Sequence, residues 1–176
     1  MKKVCIIDGT VGQKLDYQKV LQSYDSKYDI TYFKLEEMNI HSCVGCWDCW
    51  LKTPGICLIK DDQEDILKAY IESDEIIFIS NVKTGFITST LKITLDRLIP
   101  VVLPYIRNYK GEMHHYQRYD HSPNLHVLLN SRDVSKEVIL LIKDYFNRVV
   151  LNMVSTFESF TQSEDEGGIK DVLSHC

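Results

Sequence analysis

Four of the six cysteines and both tryptophans fall between Cys43 and Cys57. Cys43, Cys46 and Cys49 follow one another at C-x2-C-x2-C spacing, Cys57 lies eight positions further on, and Asp61-Asp62 come soon after. Thiolates are soft ligands, and closely spaced ones can wrap a small metal–sulfur group from a single loop, as in compact iron–sulfur ligation. Three readings follow from the residues. Cys43, Cys46, Cys49 and Cys57 hold a [4Fe–4S] cluster; or the loop is a structural or thiol-redox element walled by the indoles of Trp47 and Trp50; or a zinc ion held by the four thiolates staples it. Zinc usually asks for two separated pairs, so the tight spacing makes the third reading the weakest.

Such a loop needs a frame. Lys3 to Asp8 is a short, branched apolar run and predicts a buried first strand, with Cys5 inside it as a small core residue. Tyr17, Val20, Leu21 and Tyr24 recur at helical spacing. A second strand covers about Asp29 to Leu35, after which regular patterning stops for some twenty residues through the cysteine loop. Asp61 or Asp62 can cap the next helix, with Glu64 three residues after Asp61 in the manner of a capping box. The apolar stretch within Asp74 to Ser80 predicts the central strand. Leu91, Leu95, Leu98 and Val102 form a helical stripe as far as Pro100 and Pro104, on which Asp96-Arg97 reads as an exposed or intrahelical ion pair. Leu125 to Asn130 predicts a fourth strand, Val138 to Val149 a helix and Val154 to Phe160 a fifth strand. Tyr105 to Pro123, with His114, His115 and His121, reads as an aperiodic, solvated loop, and residues 161–176 as a polar tail.

Alternating strands and helices define a single α/β domain over residues 1–160, a doubly wound five-stranded parallel sheet with helices on both faces. In that architecture the loops after the strands gather at the carboxyl edge, where ligands bind. Gly9 to Gln13, Ser80 to Phe86 and Ser131 to Asp133 should meet there, with the cysteine loop beside them.

The net charge of −5 leaves no basic field for a phosphodiester backbone, so nucleic acid is excluded as an expected partner. Val4 to Ile7 is too short an apolar run for a leader or a membrane span, and the expected address is cytoplasmic with no membrane association.

Taken with Asp61-Asp62, the run Asp74 to Ser80, and Leu91-Lys92 through Asp96-Arg97, the cysteine stretch resembles the flavodoxin-like NADPH-dependent FMN reductase family, in particular its iron–sulfur flavoprotein branch. The resemblance covers about Met1 to Phe160 and implies the strand order 2-1-3-4-5. It implies FMN as cofactor, NAD(P)H as co-substrate, a small-molecule or protein electron acceptor, and a homo-oligomer with a contact along Tyr105 to Tyr119. The phosphate would lie at Gly9, Thr10, Val11, Gly12, Gln13 and Lys14. The ring would lie along Ser80, Asn81, Val82, Lys83, Thr84, Gly85 and Phe86, with Ser131 and Arg132 over its far side. Thr10 and Lys14 supply the hydroxyl and cation of the first loop, whereas Asp8 brings a charge of the same sign as phosphate. Asn81 stands where the family has proline, and Lys83 where it has an aromatic residue. The flavin would carry the chemistry, so no catalytic side chain is expected. The function implied is an FMN-binding NAD(P)H-dependent oxidoreductase. The alternatives are an electron carrier with a [4Fe–4S] cluster and a flavodoxin-like protein that has lost its cofactor.

Overall fold

The computed structural model describes residues 1–13 and 15–176. Lys14, expected at the phosphate loop, lies outside the described residues. Strand β1 (Lys2–Asp8) leads to a short helix α1 (Tyr17–Leu21), prolonged by a 3-10 turn, and then to β2 (Tyr28–Lys34). The cysteine loop follows and contains one helical turn, α2 (Asp48–Leu51). After it come α3 (Gln63–Glu72), β3 (Glu75–Lys83), β4 (Phe86–Ile87) and α4 (Ser89–Asp96). The chain continues through β5 (Val102–Tyr109), β6 (Glu112–Gln117), β7 (Asn124–Asn130), α5 (Lys136–Met153), β8 (Thr156–Ser163) and α6 (Gly168–Leu173).

The strands of the main sheet run β2-β1-β3-β7-β8, all parallel, with β4 added antiparallel on β3. Counted along the chain, the parallel strands have the order 2-1-3-4-5. Successive side chains of the central strands enter different cores because their Cβ atoms alternate. Ile7, Ile76, Phe78 and Val127 pack with α3, α4 and α5, while Ile6, Ile77, Ile79 and Leu128 pack with α1 and α6. Cys5 belongs to the first core, and burial pushes its thiol up to about 12. Covering on both faces is why these strands read as continuous apolar runs.

Three expectations are corrected. Residues 105–123 are largely a β-hairpin, β5 paired antiparallel with β6, rather than a solvated loop. A register shift between Val102 and Ile106 breaks the alternation that would have announced it. Residues 161–176 are not a polar tail: Thr161 to Ser163 complete β8, and α6 buries Ile169, Val172 and Leu173 completely. Ser80 to Phe86 is not an open loop either. β3 runs to Lys83 and turns back through Thr84 and Gly85, both at positive φ (49° and 79°), as a two-residue hairpin turn requires.

Candidate functional site

The cysteine loop is closed at its base by the acidic pair. Asp62 accepts a hydrogen bond from the Asn39 amide at 2.7 Å and returns its own amide to the Asn39 carbonyl at 3.2 Å. One oxygen of Asp61 accepts from the amide of His41 at 2.9 Å, and its other oxygen accepts from the Gln63 amide at 3.2 Å. The pair thus joins the two ends of the loop, and helix capping is the lesser part of its work.

Arg97 is the centre of this closure, which corrects its reading as an exposed or intrahelical pair. Its side chain is 1% exposed and its partner Asp61 0%. The guanidinium donates to Asp61, to the carbonyls of His41 (3.0 Å) and Ile59 (3.3 Å), and to Cys57 Sγ at 3.3 Å. The exposed intrahelical pair on α4 is instead Lys92 with Asp96. Arg97 therefore ties the helix carrying it to both ends of the loop and to one cysteine sulfur. Only a planar, multiply donating group can do this; a lysine could not.

Burial pushes the Asp61 carboxyl up, but the hydrogen bond from Arg97, those from His41 and the attraction of the guanidinium outweigh it, and the carboxyl lies below its usual value. A lowered folded value means the pair contributes fully above the unfolded value of about 3.9 and loses that contribution as the pH falls through the folded one. Urea midpoints should therefore drop below about pH 4, and Asp61→Asn should flatten that drop. Equal slopes for the two proteins would disprove it.

Within the loop one apolar cavity of about 200 Å³ is lined by Cys43, Cys46, Cys49 and Cys57 together with Val44, Trp47, Trp50, Leu58 and Ile99. Gly45, at φ 66°, lets the backbone turn between Cys43 and Cys46. Trp50 anchors the loop by donating its indole N–H to the carbonyls of Val102 (2.9 Å) and Ile99 (3.2 Å). Trp47 meets it edge-on at 5.3 Å and stays largely exposed. Burial raises the Cys49 thiol, and the nearness of Cys57, Cys46 and Cys43 raises it further.

Among the described residues, the one group of three or more potential ligand atoms within 4.8 Å of one another is Glu75, His126 and Cys176, so the loop cysteines are spread more widely than that. Tetrahedral zinc, with Zn–S about 2.3 Å, would bring four sulfurs within about 3.8 Å of one another. The wider spread and the soft, apolar lining fit a polynuclear iron–sulfur group better than a single ion.

The loops expected to meet at the carboxyl edge do so only in part. Gly9 to Gln13 lies against the end of β3: the Gly9 amide donates to Ile79 O at 2.8 Å, and the Val11 amide to Asn81 Oδ1 at 3.0 Å. A Cβ on Gly9 would stand 2.6 Å from Leu91 Cβ, so packing against α4 already explains this glycine. Ser80 is buried and accepts from the Thr88 amide, a structural role. Val82 is half-buried, while Lys83, Thr84 and Gly85 are exposed and Phe86 packs edge-on against Tyr145. The Ser131 amide donates to Ser163 O, and Arg132 pairs with Glu164 on the surface.

The cysteine cavity, in contrast, sits at the far end of α4 from Gly9. Thr88, at the start of that helix, bonds Gly9 O, and Arg97, just beyond its end, bonds Cys57. Eight residues at 1.5 Å rise put roughly 12 Å between them along the axis. A groove of about 570 Å³ opens beside the cysteine loop and runs along α4 and α5, past Cys43, Trp50, Lys92 and Tyr145.

His114 and His115 form no metal site with each other. His114 is buried between Asn152 and Glu112, and His115 lies against Trp50 with ring centroids 4.9 Å apart. No helix among the described residues is long and apolar enough to cross a membrane.

A parallel sheet in the order 2-1-3-4-5 with helices on both faces defines the flavodoxin-like class of doubly wound folds. The chain is similar in sequence to an iron–sulfur flavoprotein of Methanocaldococcus jannaschii, 36% identical over 81 residues, which are 46% of this chain and 41% of that protein. It is also similar to an iron–sulfur flavoprotein of Archaeoglobus fulgidus, 29% identical over 100 residues, 52% of this chain and 44% of the relative. These matches span less than half of either relative's length. In structure it resembles an FMN-dependent NADH-azoreductase of Bacillus anthracis, solved in complex with FMN, at a TM-score of 0.60 and 14% identity, over 92% of this chain and 86% of that one. No family model matches the chain.

Proposed function

We propose that this chain is a flavin-linked redox protein of the iron–sulfur type, an NAD(P)H-dependent oxidoreductase whose cysteine loop holds a [4Fe–4S] cluster. One observation carries the reading: Cys43, Cys46, Cys49 and Cys57 line a single apolar cavity, and a buried guanidinium donates to one of their sulfurs. The names of the sequence relatives agree with it. A bound cluster would supply one-electron steps, and a flavin would exchange them for a hydride.

The chain's own residues would hold the donor set in an apolar setting. Arg97 offers positive charge to Cys57, and Trp47, Val44 and Leu58 supply apolar lining. The flavin would lie at the carboxyl edge along the turn Lys83 to Phe86, the edge at which doubly wound sheets bind their ligands. The groove past Lys92 and Tyr145 is where an electron acceptor would approach. Exposed Tyr105, Ile106, Met113 and Tyr116 on the hairpin suit a contact between copies of the chain. Six unpaired cysteines suit a reducing, cytoplasmic setting.

Protein purified without oxygen and assayed for iron, sulfide and visible absorption tests this. A broad brown absorption with iron and sulfide is expected, bleaching with NAD(P)H once flavin is present. Resolved flavin bands without iron would leave a cluster-free reductase.

A further inference from the structure

An anion-binding loop works by aiming unpaired amide groups at its ligand. Among the described residues of the first loop, the amides of Gly9 to Gly12 and of Asp16 are already used. The Thr10 amide and hydroxyl both donate to Asp8 Oδ1, at 2.9 and 2.7 Å. The Val11 amide donates to Asn81 Oδ1 at 3.0 Å, and Asn81 returns a bond to the Val11 carbonyl at 3.2 Å. The Gly12 amide donates to Glu36 Oε1 at 3.3 Å, and the Asp16 amide to Glu166 Oε1 at 3.2 Å.

The first of these acceptors is firmly held. Asp8 is fully buried and is held from its other oxygen by the Tyr32 hydroxyl at 2.5 Å, so turning it aside breaks bonds on both sides. The helix that follows offers no replacement. It has five residues, and its start is capped by its own Asp16, which accepts from the Lys19 amide. A phosphate entering here would have to displace three carboxylates and then sit beside them, like charge against like charge.

We infer that Asp8, Glu36 and Glu166, with Asn81, fill from within the positions a flavin phosphate would take, so that this chain selects its flavin by ring and ribityl chain and takes the unphosphorylated form. This rests on the flavin reading above and refines it: the neighbour was solved with FMN, whereas the carboxylates at this loop suit a flavin without the phosphate, such as riboflavin.

The test is a pair of dissociation constants, for riboflavin and for FMN, measured by flavin fluorescence on the intact protein at one pH and salt concentration. Riboflavin should bind at least as tightly as FMN. Removing a carboxylate should shift the ratio. Glu36 is exposed, so Glu36→Ala should keep the fold while freeing the Gly12 amide, and should move the preference towards FMN by about tenfold. Asp8→Ser, which frees both groups of Thr10, should move it further. Tighter binding of FMN than riboflavin by the unaltered protein would overturn the inference and leave the flavin reading standing, as would an unchanged ratio in Glu36→Ala. Binding of neither would remove the flavin reading and this inference together.

Discussion

Arg97→Met should destabilise the protein by about 3–5 kcal/mol, because it leaves the Asp61 carboxylate buried without its partner. Methionine fills much of the same volume, so packing loss is small and the cost is electrostatic. Asp61 also accepts from the amides of His41 and Gln63, which keeps it in place and prevents it from swinging into water. Arg97→Lys should recover part of the loss by restoring charge. It cannot restore all of it, since one ammonium cannot reach Asp61, the two carbonyls and Cys57 Sγ together. The double variant Arg97→Met, Asp61→Leu should be less damaged than the sum of its parts. Both charges are then gone, although the two amides are still left without an acceptor. Urea unfolding of the unaltered protein, Arg97→Met, Asp61→Leu and the double variant gives the coupling. A cost below about 1 kcal/mol for Arg97→Met would place the ion pair among the weak surface ones and sink the account.

The parts of the fold visible in the sequence are those with local causes. Ile76 to Ile79 form a strand with both faces covered, which an unbroken apolar run announces. Lys92 and Asp96 stand one turn apart, and their pairing follows from helix geometry alone. Arg97 is different. Its partner lies thirty-six positions away, and nothing in the spacing of Asp61 and Arg97 distinguishes a buried bond from two separate surface charges. Helix α6 is an intermediate case. Ile169, Val172 and Leu173 carry the i, i+3, i+4 signal, but the preceding acidic and glycine-rich residues hide it unless the short window is read alone.

The candidate site divides in the same way. Cysteine spacing is local chemistry, and the structure brings all four cysteines to the lining of one cavity. The expectation that every loop after a strand would converge was too simple, because the cysteine loop is long enough to leave the carboxyl edge and follow α4 to its other end. The sign of Asp8 was visible in the sequence. That its carboxylate would accept both donors of Thr10 depends on Tyr32 across the β1–β2 pairing, a contact between strands that no linear pattern records.

Cys46→Ala should bring the iron content of anaerobically purified protein from about four per chain to near zero, together with its acid-labile sulfide, because a [4Fe–4S] group held by four thiolates rarely survives the loss of one. Cys46 is exposed, and its replacement removes little packing, so the fold should persist and its unfolding midpoint change little. Two further cysteines serve as controls. Cys5→Ala trims a thiol in the core of β1, and Cys176→Ala alters a half-buried residue beside His126. Both should cost stability at most and leave iron per folded chain unchanged. This contrast separates ligation from general damage, which would lower iron in all three variants in proportion to the protein lost. Flavin binding should be unaffected by Cys46→Ala, since the cavity and the carboxyl edge lie at opposite ends of α4. Iron retained in Cys46→Ala would mean that the loop is a packed aromatic and thiol element, with Arg97 serving only to hold it shut.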